Sequence, residues 1–181
     1  QAGRNQPAHG KAYWAHTARV YPQLIRRPDF NYPDIGRIQV SSDASVVAVT
    51  AQSCVTPPCP ENRTQSTVFP RRGQPQRYDG SVVLSPNGAW ALRIVEPRGA
   101  SVRISVVHLE TRRETTLYEG IGSGCPDCHS IADDGTAALT LVSLELFGPG
   151  GLHIERPGIA WRATISADGQ VVAWEWDQGI Y

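Results

Sequence analysis

The chain contains no methionine, and of its 17 basic side chains only Lys11 is a lysine, the rest being arginine. Arginine favours planar, forked pairing with carboxylates over flexible ammonium contacts. The 17 basic groups face 17 acidic ones, so the formal charge is 0, and a broad electrostatic attraction to nucleic acid or anionic membrane is excluded. No apolar run approaches the roughly 18 residues of a membrane span. Four cysteines in 181 residues are too few for a disulfide-built scaffold but suit an exported protein. The start at Gln1-Ala-Gly3 suits a mature product whose signal peptide has been removed, which predicts a periplasmic or extracellular location. No nucleophile with a base partner, phosphate loop or zinc-hydrolase motif is present, so an electron carrier or binding module is expected rather than an enzyme.

What is present is a repeat. Ile38–Val49, Val82–Arg93, His129–Thr140 and Ala163–Trp174 superimpose without a gap, each as a short apolar strand, a turn and a second apolar strand. The turn positions are Ala44, Gly88, Gly135 and Gly169, at intervals of 44, 47 and 34 residues. No helical periodicity competes with these runs. Ser85-Pro-Asn-Gly88 and Ser166-Ala-Asp-Gly169 resemble the Ser-Pro-Asp-Gly turn of TolB-like and WD-like β-propeller repeats, and the resemblance covers residues 37–176. It implies an all-β, propeller-like domain of about four blades.

On that frame residues 1–181 form one domain. Residues 1–10 are a polar arm, 37–78 blade one, 81–118 blade two, 125–157 blade three and 160–181 the inner half of a last blade. Blade three is short and shows no convincing fourth strand. Residues 11–30 hold two strands with no inner pair, Ala12–Val20 and Gln23–Arg26, while the last repeat has an inner pair and then stops. The N-terminal strands are therefore expected to complete the last blade, in the same chain or in a neighbouring subunit.

The specific chemical motif is Cys125-Pro-Asp-Cys128-His129. Cys-x-x-Cys-His is the attachment signal for c-type haem, with two thioether anchors and the adjacent imidazole on the iron. This predicts a haem c-binding electron carrier that works with a redox partner or with neighbouring subunits. Methionine being absent, the sixth position would be either open or taken by a second histidine, His153 or His9, with His16 and His108 less suited. Two alternatives stay open: a disulfide or redox pair at Cys125 and Cys128, with His129 packed like its aligned residues Ile38, Val82 and Ala163, and a zinc site shared with Cys54 and Cys59. The alternative function is a non-haem binding or structural propeller whose cysteines are disulfides. Cys54 and Cys59 close a proline-stiffened loop and are expected to form one; Asn62-Arg-Thr64 beyond them is a formal glycosylation sequon.

The resemblance also sorts the loops between two faces. Cys54–Cys59, Pro97–Gly99 and Phe147–Gly151 are expected as second-to-third-strand connections, on one face with Cys125, Cys128 and the arm carrying His9. That face is the expected functional one. Asp133-Asp134-Gly135 reads as a hairpin turn rather than a calcium loop. Arg71-Arg72 and Arg112-Arg113 read as solvated surface, and Trp161, Trp174 and Trp176 as inter-blade packing.

Overall fold

The computed structural model describes residues 34–54, 62–96, 101–122, 124–176 and 179–180. The expected strands in 11–30, and His9, His16 and Cys59, lie outside the described residues, as does the side chain of Cys54.

Four antiparallel sheets follow one another along the chain. Sheet one consists of β1 (Asp34–Val40), β2 (Val46–Cys54), β3 (Asn62–Pro70) and β4 (Gln76–Asp79). Sheet two consists of β5 (Ser81–Leu84), β6 (Trp90–Val95), β7 (Ser101–His108) and β8 (Arg113–Ile121). Sheet three consists of β9 (Ser130–Ile131), β10 (Ala137–Thr140), β11 (Leu144–Gly148) and β12 (Leu152–Arg156). Among the described residues sheet four has three strands, β13 (Ala160–Ile165), β14 (Val172–Trp176) and β15 (Gly179–Ile180), so the last repeat does not stop after its inner pair as expected: the chain turns back and pairs Gly179 and Ile180 with Trp176 and Glu175. In every sheet the strands are ordered as they occur in the chain.

The period-2 alternation of strand side chains divides each sheet between two neighbours. In β2, Val46 and Ala48 join Val68, Val82, Ala91 and Val107 between sheets one and two, while Val47 and Val49 join Phe69 on the other face. In β6, Ala91 belongs to that first core, and Leu92 and Ile94 pack with Ile131, Ala137 and Leu139 of sheet three. Ala132, Ala138 and Leu144 then meet Ala160, Ala163 and Ile165 of sheet four. Strands buried on both faces must read as continuous apolar runs, as Val46–Val49 and Ala137–Leu139 do.

The four aligned turns share one hydrogen-bond pattern. Asp43, Asn87, Asp134 and Asp168 each accept, through a side-chain oxygen, the backbone N–H two residues later, at 2.8 to 3.1 Å. Ala44, Gly88, Gly135 and Gly169 all take positive φ, from 55° to 90°. Glycine is required at Gly88 for a second reason: a Cβ there would lie 2.7 Å from Val46 Cγ2 in the preceding sheet. The turns are also linked to one another. Ser42 donates its N–H to the Pro86 carbonyl at 2.6 Å, and Asp133 donates its N–H to the Ala167 carbonyl at 2.8 Å. Pro86 has no N–H to continue that series. Instead the Asp133 carboxylate accepts the N–H of Asn87 at 2.7 Å, and the Asn87 amide donates to the Asp133 carbonyl at 3.2 Å. Asp133 is thus an inter-turn bridge and Asp134 the residue that shapes its own turn.

Three expectations are corrected. Sheet three does have a fourth strand, β12, because a tight return over Leu141–Ser143, with the Leu141 N–H on the Ser143 carbonyl at 3.0 Å, leaves room for two more strands of five residues. Gly148–Gly151 therefore joins third and fourth strands, so this loop lies on the same face as the Asp-Gly turns, opposite the cysteines. Blade two also runs to Ile121 rather than 118.

Candidate functional site

The Cys125–His129 motif lies on the face opposite the Asp-Gly turns, at the entrance to sheet three. Pro126–Cys128 forms a short 3-10 turn, for which proline is suited to an early position, and the Cys128 N–H bonds the Cys125 carbonyl at 3.2 Å. Cys125 and Cys128 are disulfide-bonded, with Cα atoms 5.4 Å apart. Thr140 of β10 holds the turn twice, its hydroxyl donating to the Cys128 carbonyl at 2.9 Å and its N–H to His129 Nδ1 at 3.1 Å. Asp127, in the middle of the turn, pairs with Arg37 of β1 at 2.9 Å.

His129 is only 3% exposed, packed as its alignment with Ile38, Val82 and Ala163 suggests. Because a backbone N–H can only donate, Nδ1 must offer its lone pair to Thr140, which puts the proton of the neutral ring on Nε2. An iron ligand would need the reverse arrangement, with a lone pair on Nε2. With both sulfurs in one bond as well, this folded arrangement does not fit a covalently held haem. Nor does it bring His153 near. His153 sits at the turn-face end of β12, three strands from β9 and so roughly 14 Å across the sheet. There it stacks on Phe147 at 4.5 Å and pairs with Glu145 at 2.9 Å. Among the described residues no group of three or more His, Cys, Asp or Glu side chains could hold a metal.

A second site lies on the Asp-Gly face, in the cleft of about 590 Å³ between sheets one and two. Its floor is apolar: Val46, Val68 and Leu109 are each less than a tenth exposed. Arg71 and Arg72, in the β3–β4 turn, stand on one side, and Arg112, in the β7–β8 turn, on the other. The walls are tied together. Gln76 accepts from the Tyr78 hydroxyl at 2.6 Å and donates to the Leu109 carbonyl at 3.0 Å across the two sheets. The Arg71 N–H bonds the Ser45 carbonyl and the Leu109 N–H the Ala89 carbonyl. His108 meets the edge of Trp90 and bonds Thr111 through Nδ1, so it is structural here.

These arginines, expected on solvated surface away from the functional face, are exposed, but three of them share a cleft. The available signal was topological: third-to-fourth turns of consecutive blades both carry an arginine pair. Trp161, expected to pack between blades, is 57% exposed, whereas Trp174 does pack against the core between sheets three and four.

No protein-family model and no curated protein matches this sequence. Solved structures do. TolB from Acinetobacter baumannii is 20% identical with a TM-score of 0.54, over 78% of this chain and 37% of that one. The β-propeller domain of the Trilobed protease from Pyrococcus furiosus, described as having an open velcro topology, is 12% identical with a TM-score of 0.53, over 83% of this chain and 54% of that one. At these identities the likeness shows the fold, a β-propeller, and this chain spans about a third to a half of the chains it matches.

Proposed function

We propose that the chain is a non-haem β-propeller module that works by binding a partner, with Cys125 and Cys128 kept as a disulfide staple. The observation that carries this reading is the structural use of the Cys125–His129 turn: the disulfide closes it, Thr140 fixes it to β10 and Asp127 joins it to β1. A disulfide of this kind persists in an oxidising compartment, which supports an exported location, periplasmic or extracellular. Among the described residues no helix is long and apolar enough to cross a membrane.

A second reading is favoured by the spelling Cys125-x-x-Cys128-His129, which makes the protein a haem c electron carrier; the bound group would supply one-electron chemistry. The visible spectrum of the purified protein, with mass mapping of its non-reduced peptides, separates the two. Colourless protein with Cys125 and Cys128 linked to each other supports the binding module. A Soret band, with α and β bands on reduction, overturns it.

A further inference from the structure

We infer that the cleft between sheets one and two is a receptor site for an acidic polypeptide segment, with aspartate or glutamate flanking an apolar side chain. The inference rests on the binding-module reading and gives that module its ligand class.

Charge is the first ground. Arg37, Arg93 and Arg103 are paired with Asp127, Glu114 and Glu119. Among the described residues, Arg71, Arg72 and Arg112 pair with no carboxylate, and Glu110 is the acidic residue on the lining they share. In a chain of zero net charge this is a local cationic excess, set where two walls converge. Guanidinium forks recognise carboxylates with two parallel hydrogen bonds.

Shape is the second. The cations stand on opposite walls with Val46, Val68 and Leu109 between them. A lone small anion would satisfy one wall and leave the floor wet. A peptide spanning the cleft places an apolar side chain on the floor and carboxylates at both rims.

Backbone conformation is the third. Among the described residues, the non-glycine residues at positive φ are Ala44 and Arg112, the latter at 59°. The β7–β8 turn closes with the Arg112 N–H on the His108 carbonyl at 2.8 Å, a left-handed closing position that suits glycine. The chain keeps a long cationic side chain there, against the local backbone preference, and that side chain lines the cleft.

The test uses the full chain and a short dye-labelled peptide with aspartates flanking a leucine, read by fluorescence polarisation beside the same peptide carrying asparagines. The acidic peptide is expected to bind, the neutral one not, and added salt to weaken binding. Arg71→Gln with Arg72→Gln is expected to weaken it by about tenfold or more. Arg112→Gly is expected to weaken it while leaving the thermal midpoint unchanged or raised, because glycine relaxes the turn. Equal binding of both peptides, or unchanged binding in all variants, overturns the site. Inorganic phosphate displacing the peptide at matched concentration overturns the assignment to a polypeptide. A colourless, disulfide-linked protein that fails these tests loses the site alone, whereas a Soret band removes the underlying reading.

Discussion

Arg37 Nη2 and Asp127 Oδ1 meet at 2.9 Å, tying the first strand of sheet one to the disulfide turn that leads into sheet three. The two sheets are not sequential neighbours, so this ion pair spans the entrance of the blade between them. Burial lowers the Arg37 pKa and Asp127 acts against that, while Nη1 is buried with no hydrogen-bond partner among the described residues. Asp127 is 65% exposed, so Asp127→Asn is expected to cost only about 1 kcal/mol in urea unfolding. Reducing the Cys125–Cys128 bond is expected to cost about 2 kcal/mol, the loop-entropy value for so short a ring. Since the ring positions Asp127, the combined loss should be smaller than the sum of the two separate losses. Strict additivity would show that the ion pair does not depend on the disulfide.

Gly135 and Gly150 offer a matched comparison in the turns. Both have positive φ, but a Cβ at Gly135 would lie 3.1 Å from the Trp90 ring, whereas at Gly150 it would meet nothing within 4 Å. Alanine at Gly150 is expected to cost about 1 kcal/mol, from backbone conformation alone. Alanine at Gly135 is expected to cost about 1–2 kcal/mol more, the added part being the contact between sheets. Equal midpoints for the two variants in thermal unfolding would remove the packing term.

Acid should loosen the turns. The Asp43 carboxyl is held below its ordinary value first by the Ser45 backbone N–H, and that of Asp168 first by the Ser166 hydroxyl. A folded pKa depressed in this way adds stability above the unfolded value of 3.8, and the gain is lost as pH falls through the folded pKa. Unfolding midpoints should therefore be flat above about pH 5 and fall below pH 4. Replacing both residues by asparagine should flatten part of that fall; an identical profile in the double variant would place the acid sensitivity elsewhere.

Among the described residues sheet four has three strands where its neighbours have four, and the third, β15, covers only Glu175 and Trp176 of β14. We propose that residues 11–30, from the same chain or a neighbouring subunit, supply the outer strand that remains. Deleting residues 1–30 should give aggregated protein that a peptide spanning Ala12–Arg26 keeps soluble. Truncated protein that stays soluble, monomeric and equally stable would contradict this.

The repeat was legible because it is written in local chemistry. Asp or Asn followed by a residue at positive φ marks each turn, and apolar residues on both sides mark strands buried on two faces. β12 escaped because all five of its residues are exposed, so Leu152–Arg156 carries no burial pattern for alternation to reveal. Missing that strand moved Gly148–Gly151 to the wrong face, and His153 with it. At the site, Cys125-x-x-Cys128 could be seen but not its use, since thiols that bond each other and thiols that bond a cofactor are spelled alike. The arginine cleft was hidden for a different reason: Arg71 and Arg112 share it because sheets one and two pack on a common core that includes Val68 and Val107, and spacing along the chain does not encode that packing.

The bridge between Asn87 and Asp133 bears on how such an array can grow. Where each turn gives one N–H to the next turn's carbonyl, every unit has the same valence on both sides, and duplicating or losing one leaves no orphan donor. Pro86 breaks that equivalence and Asp133 repairs it from the following unit. The second and third blades are thereby a matched pair: a copy of blade two placed before a blade lacking the aspartate gives up both hydrogen bonds between Asn87 and Asp133 and leaves those groups to water.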